Sequence, residues 1–305
     1  MCKVKGEKME NKIQNKLLIS SITLIILSLI ISVIVINKLT LDKPVFLKVY
    51  KDVDINKGES GYVLNEWDMS FKYISNIKDE RKIVSIGFKE VPDLKFDVIQ
   101  SYNNSFGFIN NIENGNGEIY GRYQVNTFYI QLSPMVDISQ IEKETILKEA
   151  TILFNDNLTM DVDLGKIVLY KIDNSNYVLE GQSSSSSTDG SSRTIYSLKK
   201  DIEIVDIYSA LFDETRDLFD FSLSKHDDIN SSDKIYAEKD YLYLNSMFYE
   251  IEDIERKLYS YDIKPIIYFK DKEGNELKQR VYNINREPIF TYKDIYLYLK
   301  SKGEI

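Results

Sequence analysis

VFLKVYKDVDI, residues 45–55, reads as a β-strand. Val45, Leu47, Val49, Val53 and Ile55 alternate with Phe46, Lys48, Tyr50, Asp52 and Asp54. A period of two sends successive side chains to opposite faces of an extended chain. Asn56-Lys57-Gly58 then turns the chain. The pattern recurs downstream. Trp67, Met69, Phe71 and Tyr73 alternate with Asp68, Ser70 and Lys72. Further strands are expected over 83–91, 96–102, 106–112, 118–125, 128–132 and 165–170. The run Glu113-Asn114-Gly115-Asn116-Gly117 supplies an asparagine-glycine hairpin signal between two of them. Residues 138–154 carry two signals. Ser139-Gln140-Ile141-Glu142 matches a capping box and opens a short helix, whereas Thr151-Ile152-Leu153-Phe154 reads as a strand.

Composition agrees with this pattern. The chain has 305 residues, including 22 Tyr and 14 Phe, but only Ala150, Ala210 and Ala237 as alanines. Alanine is the best helix former, and Tyr, Ile, Val and Phe favour strands. The heavy use of Lys, Ile, Asn and Tyr also fits AT-biased coding, as in a low-GC bacterium.

The exception to the β pattern is LLISSITLIILSLIISVIVI, which Leu17 opens and Ile36 closes. These 20 residues carry no charge. As a helix they span roughly 30 Å, the thickness of a bilayer's hydrocarbon core. A signal peptide would have a shorter apolar run and a small-residue cleavage site. Here the next residues are Asn37-Lys38-Leu39-Thr40-Leu41-Asp42, so an uncleaved signal anchor is expected. Lysines flank both ends: Lys3, Lys5, Lys8, Lys12 and Lys16 before, and Lys38, Lys43, Lys48 and Lys51 after. A short basic tail ahead of a first apolar helix stays in the cytoplasm, which puts residues 37–305 outside. Ser21, Ser28 and Ser32 share one helical face and are expected to bond back to their own helix's carbonyls.

The expected fold is therefore mainly β: one N-terminal transmembrane helix, two antiparallel β-sandwich-like domains and a short C-terminal helix. Residues 1–16 form a basic cytoplasmic tail, 17–36 the span and 37–44 a tether. Residues 45–180 form the first domain. Residues 181–194, with the unbroken serines 183–187 and then Asp189-Gly190, form either a linker or a hairpin. Residues 195–305 form a second domain, with strands at 202–208, 218–223, 241–244 and 263–269. Lys272-Glu273-Gly274-Asn275 turns a hairpin into a strand over 276–284. In the last helix, Thr291 caps with Asp294 three residues on. Tyr292, Ile295, Tyr296 and Leu299 form its face, and Gly303 stops it.

Charge excludes some functions. Residues 1–16 carry +3 and the remainder −12, which make the net −9. An acidic region lacks the basic face that nucleic-acid phosphates require. It also lacks a broad docking face for an anionic bilayer. Cys2 is the only cysteine, so no intrachain disulfide forms.

The residues suggest no reaction. His226, the one histidine, lies in the polar run Ser224-Lys225-His226-Asp227-Asp228 and reads as a surface residue. Zinc sites need several His or Cys ligands. Asp52-Val53-Asp54-Ile55-Asn56 has calcium-loop spacing, but Lys57 replaces the required glycine and Val63 the required glutamate. Asp161-Val162-Asp163 reads as a solvated strand edge. Ser75–Lys78 and Ser197–Lys200 match S-x-x-K without the partner motifs of penicillin-recognising enzymes. No phosphate loop is present. No catalytic, cofactor-binding or metal-binding residue is assigned, and no cofactor is expected.

The sequence thus points to a single-pass cell-envelope protein whose extracytoplasmic β-rich region acts as a binding, sensing or assembly module. Its partners are the lipid bilayer, through residues 17–36, and an envelope protein or polysaccharide. Two alternatives are an anchored hydrolase using carboxylates and an accessory subunit of a transport or secretion complex.

Overall fold

The computed structural model describes residues 3–58, 61–64, 69–99, 117–133, 144–171, 177–187, 190–225 and 234–305. Trp67, Asp189, His226, the capping box at 139–142 and the strand expected over 106–112 lie outside the described residues.

Helix α1 (Lys3–Lys38) contains the apolar run. Lys16–Lys38 is long and apolar enough to cross a membrane, and none of its most apolar stretch is buried. Ser21 Oγ donates to the Leu17 carbonyl at 3.0 Å and Ser28 Oγ to that of Ile25 at 2.8 Å. Ser32 Oγ donates to the Ser28 carbonyl at 2.8 Å. The hydroxyl stripe is thus bonded to its own backbone.

The rest is β-rich. In chain order the strands are β1 (Val45–Phe46), β2 (Val49–Gly58), β3 (Gly61–Leu64), β4 (Ser70–Asn76), β5 (Ile83–Phe88), β6 (Phe96–Ile99) and β7 (Glu118–Tyr120). Then come β8 (Tyr123–Leu132), β9 (Glu144–Phe154), β10 (Thr159–Lys171), β11 (Leu179–Ser186), β12 (Ser191–Leu198) and β13 (Ile202–Tyr208). After a short helix α2 (Ala210–Glu214) follow β14 (Phe219–Ser224), β15 (Ile235–Tyr236) and β16 (Tyr241–Phe248). Helix α3 (Ile254–Lys257) precedes β17 (Ser260–Ile263), β18 (Ile266–Asp271), β19 (Glu276–Arg280) and β20 (Ile284–Arg286), and α4 (Tyr292–Ser301) ends the series.

The largest sheet runs β1-β4-β8-β6-β5-β9-β10-β2-β17-β20, with β3 on β2 and β7 on β8. It curls on itself. Phe46, at one end of that order, meets Phe128 of β8 at 6.2 Å and Phe154 of β9 at 6.4 Å. The two halves thereby close over a shared apolar core that includes Phe71, Phe88, Ile130, Leu147, Ile152 and Leu169. Burial of such side chains is the main driving force for this sandwich-like layering. Two smaller sheets follow, β11-β12-β16-β14 and β15-β13-β18-β19. Gln279 of β19 bridges them, accepting from the Val178 and Leu179 amides at 2.8 and 2.7 Å.

Several expectations are corrected. The strand expected over 45–55 is broken at Leu47-Lys48 into β1 and β2, and in β2 Lys51, Asp52 and Asp54 are 4%, 0% and 4% exposed. The cause of this burial is the place of β2 in the sheet. Both main neighbours, β10 and β17, run parallel to it. A strand between parallel neighbours is covered on both faces, so alternation no longer separates core from solvent. Residues 118–125 were expected as one strand. Instead the chain reverses at Gly121-Arg122, with Tyr120 opposite Tyr123. Gly121 has φ of 62°, which suits the first central position of a two-residue hairpin turn. Residues 144–154 are strand throughout, with no helical part.

The serine run is one strand of a hairpin, β11 against β12. The largest sheet takes β17 and β20 from beyond that run. In α4, Asp294, Ile295 and Tyr298 are buried whereas Tyr292 is 44% exposed. Ile295 and Leu299, both 0% exposed, keep the inward side that the apolar spacing gives, and Tyr298 and Asp294 join it in place of Tyr292. The Tyr298 hydroxyl donates to the Phe46 carbonyl at 3.3 Å, so this face packs on β1.

Candidate binding site

Two polar features stand out, one sealed and one open. The sealed one surrounds the carboxylates of β2. Arg280 Nε lies 3.0 Å from Asp54 Oδ1, with side chains 7% and 6% exposed. The same guanidinium lies 3.6 Å over the Tyr170 ring and donates to the Lys264 carbonyl at 2.6 Å. Asp52 Oδ2 accepts the Lys264 amide at 2.8 Å and the Ser209 hydroxyl at 3.5 Å. Asp52 Oδ1 has no hydrogen-bond partner among the described residues. Burial pushes the Asp52 pKa up to about 7, against the pull of Arg280 and the Lys264 amide. Burial, with Asp54 beside it, also raises the Tyr282 hydroxyl. The charged residues of this cluster are nearly sealed from solvent: Asp52, Asp54, Lys264 and Arg280 are 0%, 4%, 6% and 8% exposed. Its geometry suits joining the smaller sheets to β2.

The remaining motifs are dispersed. Asp161 Oδ1 accepts from Thr151 at 2.7 Å and its Oδ2 pairs with Lys89 at 3.1 Å. Asp163 holds Lys48 and the Gly165 amide. Ser75 Oγ accepts from the Gln124 and Asn126 amides at 3.1 and 2.9 Å. Ser197 Oγ accepts from Gln182 at 2.8 Å. Neither S-x-x-K serine has a lysine as its hydrogen-bond partner there. Among the described residues, no group of His, Cys, Asp and Glu is placed to hold a metal.

The open feature is a trough on the β11-β12-β16-β14 sheet, with a volume of about 580 Å³. Strand register builds it. Ser185, Arg193, Asn245 and Ser222 stand opposite one another across the four strands. Two residues along, Ser191, Met247 and Asp220 form a second row, joined by Ser187 through its bond to the Ser191 carbonyl. Alternation puts both rows on one face. The row between them points the other way. Its Ser192 and Ser246 are 7% and 4% exposed, lie 2.6 Å apart and bond to the Asn283 carbonyl. Asn283 also donates to the Ser185 carbonyl at 2.9 Å. The trough therefore has a floor tied from beneath and a wall of short hydroxyl side chains.

Strand β16 continues this face on both sides. Tyr241 is 50%, Met247 54% and Tyr249 46% exposed. The Arg193 guanidinium sits 4.8 Å above the Tyr243 ring, and the Tyr249 hydroxyl donates to Asp220. Sequence reasoning took the serines as a linker or hairpin and did not see the site. The available signal was the alternation Arg193, Ile195 and Ser197 against Thr194, Tyr196 and Leu198, which marks a half-buried strand beside the serines.

No protein-family model and no curated protein sequence matches this chain. Among solved structures, the D00-D0 domain of Intimin matches at 8% identity with a TM-score of 0.23, covering 79% of this chain and 98% of that one. A YadV chaperone matches at 8% identity and 0.22, covering 78% and 99%. The human Desmocollin-1 ectodomain matches at 6% and 0.20, covering 81% and 59%. At such TM-scores the fold rests on the strand pairings of this chain, not on these likenesses.

Proposed function

We propose that this chain is a single-pass, membrane-anchored binding module of the cell envelope that holds its partner in the serine trough. The observation that carries the reading is the open sheet face itself: two rows of mainly short polar side chains, with Arg193 and the exposed Met247 among them, flanked by exposed tyrosines and fixed from below by Asn283. Binding sites are concave and combine apolar surface with a few placed polar groups. Tyrosine suits such surfaces because it joins a broad ring to a polar tip. Helix α1 tethers the module, with the N-terminus inside and the β-rich region outside, where an envelope polysaccharide or protein is within reach. The carboxylate-hydrolase alternative gains nothing from the trough. Asp220 is the one carboxylate among the described lining residues, and glycoside hydrolysis needs two.

A photo-reactive residue placed at Ser222 in native membranes tests the trough. Capture of a specific envelope component, lost when Asn245→Trp fills the trough, is the expected result. Equal capture in both chains would refute it. Protease treatment of intact cells tests the orientation: residues 37–305 should be cut without lysis.

A further inference from the structure

Resting on the trough as the binding site, we infer that it takes a glycan bearing sparse carboxylates, and that Arg193 is the residue that meets the carboxylate.

The direction of the trough comes first. Its rows run from β11 through β12 and β16 to β14, across the strands. Four strands at about 4.8 Å spacing make roughly 14 Å of floor. A peptide that adds to a sheet edge lies parallel to the edge strand, so this trough does not follow its path. A ligand lying in it crosses the strands and meets side chains instead of backbone.

Those side chains suit a hydroxylated chain. Ser185, Ser187, Ser191 and Ser222 each present a hydroxyl that donates and accepts, and Asn245 adds an amide that does both. Exposed Tyr241 and Tyr249 flank the rows and offer ring faces to a sugar's apolar side. Asp220 already accepts from the Tyr249 hydroxyl, and a carboxylate accepts from several donors at once, so it can also take a sugar hydroxyl.

Charge sets the finer choice. Arg193 is the one cation among the described lining residues of a chain with net charge −9. A guanidinium presents a planar fork that matches a carboxylate, and the Tyr243 ring 4.8 Å beneath keeps that fork in place. One cation on an acidic body attracts an isolated carboxylate. The net negative charge of the chain repels a dense polyanion. A uronic acid set among neutral sugars meets both conditions.

Titration calorimetry on the full chain in detergent tests this. The probes are a hyaluronan hexasaccharide and a half-methyl-esterified oligogalacturonate, each against its full methyl ester, with dextran sulfate as the dense polyanion. At least one acidic probe should bind tenfold or more tightly than its ester. Arg193→Gln should abolish that difference, Arg193→Lys should keep part of it, and dextran sulfate should not compete. Equal affinity for acid and ester would overturn the assignment of Arg193 while leaving the trough in place. So would tight binding unchanged by Arg193→Gln. Silence from both probes, with capture at Ser222 still lost in Asn245→Trp, would overturn the glycan and keep the trough. Capture of a peptide there would do the same. If Arg193→Gln fails to fold, Arg193→Met is the second variant and should lose the same acid–ester difference.

Discussion

Asp54 and Arg280 lie 226 residues apart in sequence and 3.0 Å apart in space, each nearly sealed from solvent. Asp54 sits on β2 in the largest sheet and Arg280 ends β19 in a smaller one. The pair gains from the Tyr170 ring beneath the guanidinium and from the Lys264 carbonyl it also binds. Removing one partner of a buried pair leaves an uncompensated charge, at a cost of about 3–5 kcal/mol. Arg280→Leu should therefore lower stability by that amount in denaturant unfolding of the full chain in detergent. Adding Asp54→Leu should restore much of it, because no charge is then stranded. A double variant no better than the single would mean that the stack on Tyr170, not the charge, holds the joint.

Asp52, two residues before Asp54, gives a pH dependence of known sign. Its ordinary value is 3.8, and burial raises it to about 7 in the folded chain. The folded chain therefore keeps a proton that the unfolded chain releases. The contribution of Asp52 to stability should be greatest below about pH 4, fall as pH rises towards 7, and level off above it. Three units correspond to about 4 kcal/mol at most. The groups that face it are Arg280 and Lys264, the Asp262 that pairs with Lys264, Tyr170 and Ser209. Asp52→Asn should flatten the slope between pH 4 and 7. Unfolding midpoints measured across that range, with an unchanged slope in Asp52→Asn, would assign the titration elsewhere.

Residues 45–55, which the fold divides between β1 and β2, show what the sequence does and does not reveal. Their alternation identified an extended chain, because period two is a property of local geometry. It did not reveal that Asp52 and Asp54 would be buried. That depends on β10 and β17 arriving on either side from distant parts of the chain. The hairpin at Lys272-Glu273-Gly274-Asn275 was legible for the opposite reason: Gly274 at φ of 85° is a local requirement. The trough stayed hidden because its rows exist only through register. Ser185, Arg193, Asn245 and Ser222 come from four strands, and nothing local announces that they align.

Gly165 marks a close approach that no other residue fits. It lies at φ of 96° where β10 shifts register, and a Cβ there would sit 2.4 Å from the Val49 carbonyl oxygen. That oxygen is backbone of the neighbouring strand and has little room to move. Gly165→Ala should cost at least about 2 kcal/mol, from strain and collision together. Gly274→Ala meets nothing within 4 Å and carries only the strain of its positive φ, so about 1 kcal/mol is expected. Thermal unfolding of the two variants side by side measures the difference, and equal losses would show that the approach at Val49 relaxes freely.

Helix α4 is closed at both ends by bonds that substitutions can address separately. Thr291 Oγ1 accepts the Asp294 amide at 3.1 Å and donates to the Asp294 carboxylate at 2.7 Å. Gly303, at φ of 71°, donates to the Lys300 carbonyl while Glu304 donates to that of Leu299, the paired bonds of a Schellman stop. Thr291→Ala should cost about 1 kcal/mol, and Thr291→Ser much less, since it keeps the acceptor. Burial pushes the Asp294 carboxyl up, but its bonds to Lys257, at 2.8 Å, and Thr291 bring it below its ordinary value of 3.8. A depressed carboxyl stabilises the folded chain above its unfolded value and loses that contribution as pH falls through the folded one. The Thr291→Ala deficit should therefore shrink as pH falls through the folded value of Asp294, below its ordinary 3.8. Amide exchange across α4 at pH 6 and pH 3 reads this directly. A deficit that stays constant between the two would assign the cap to the threonine hydroxyl alone.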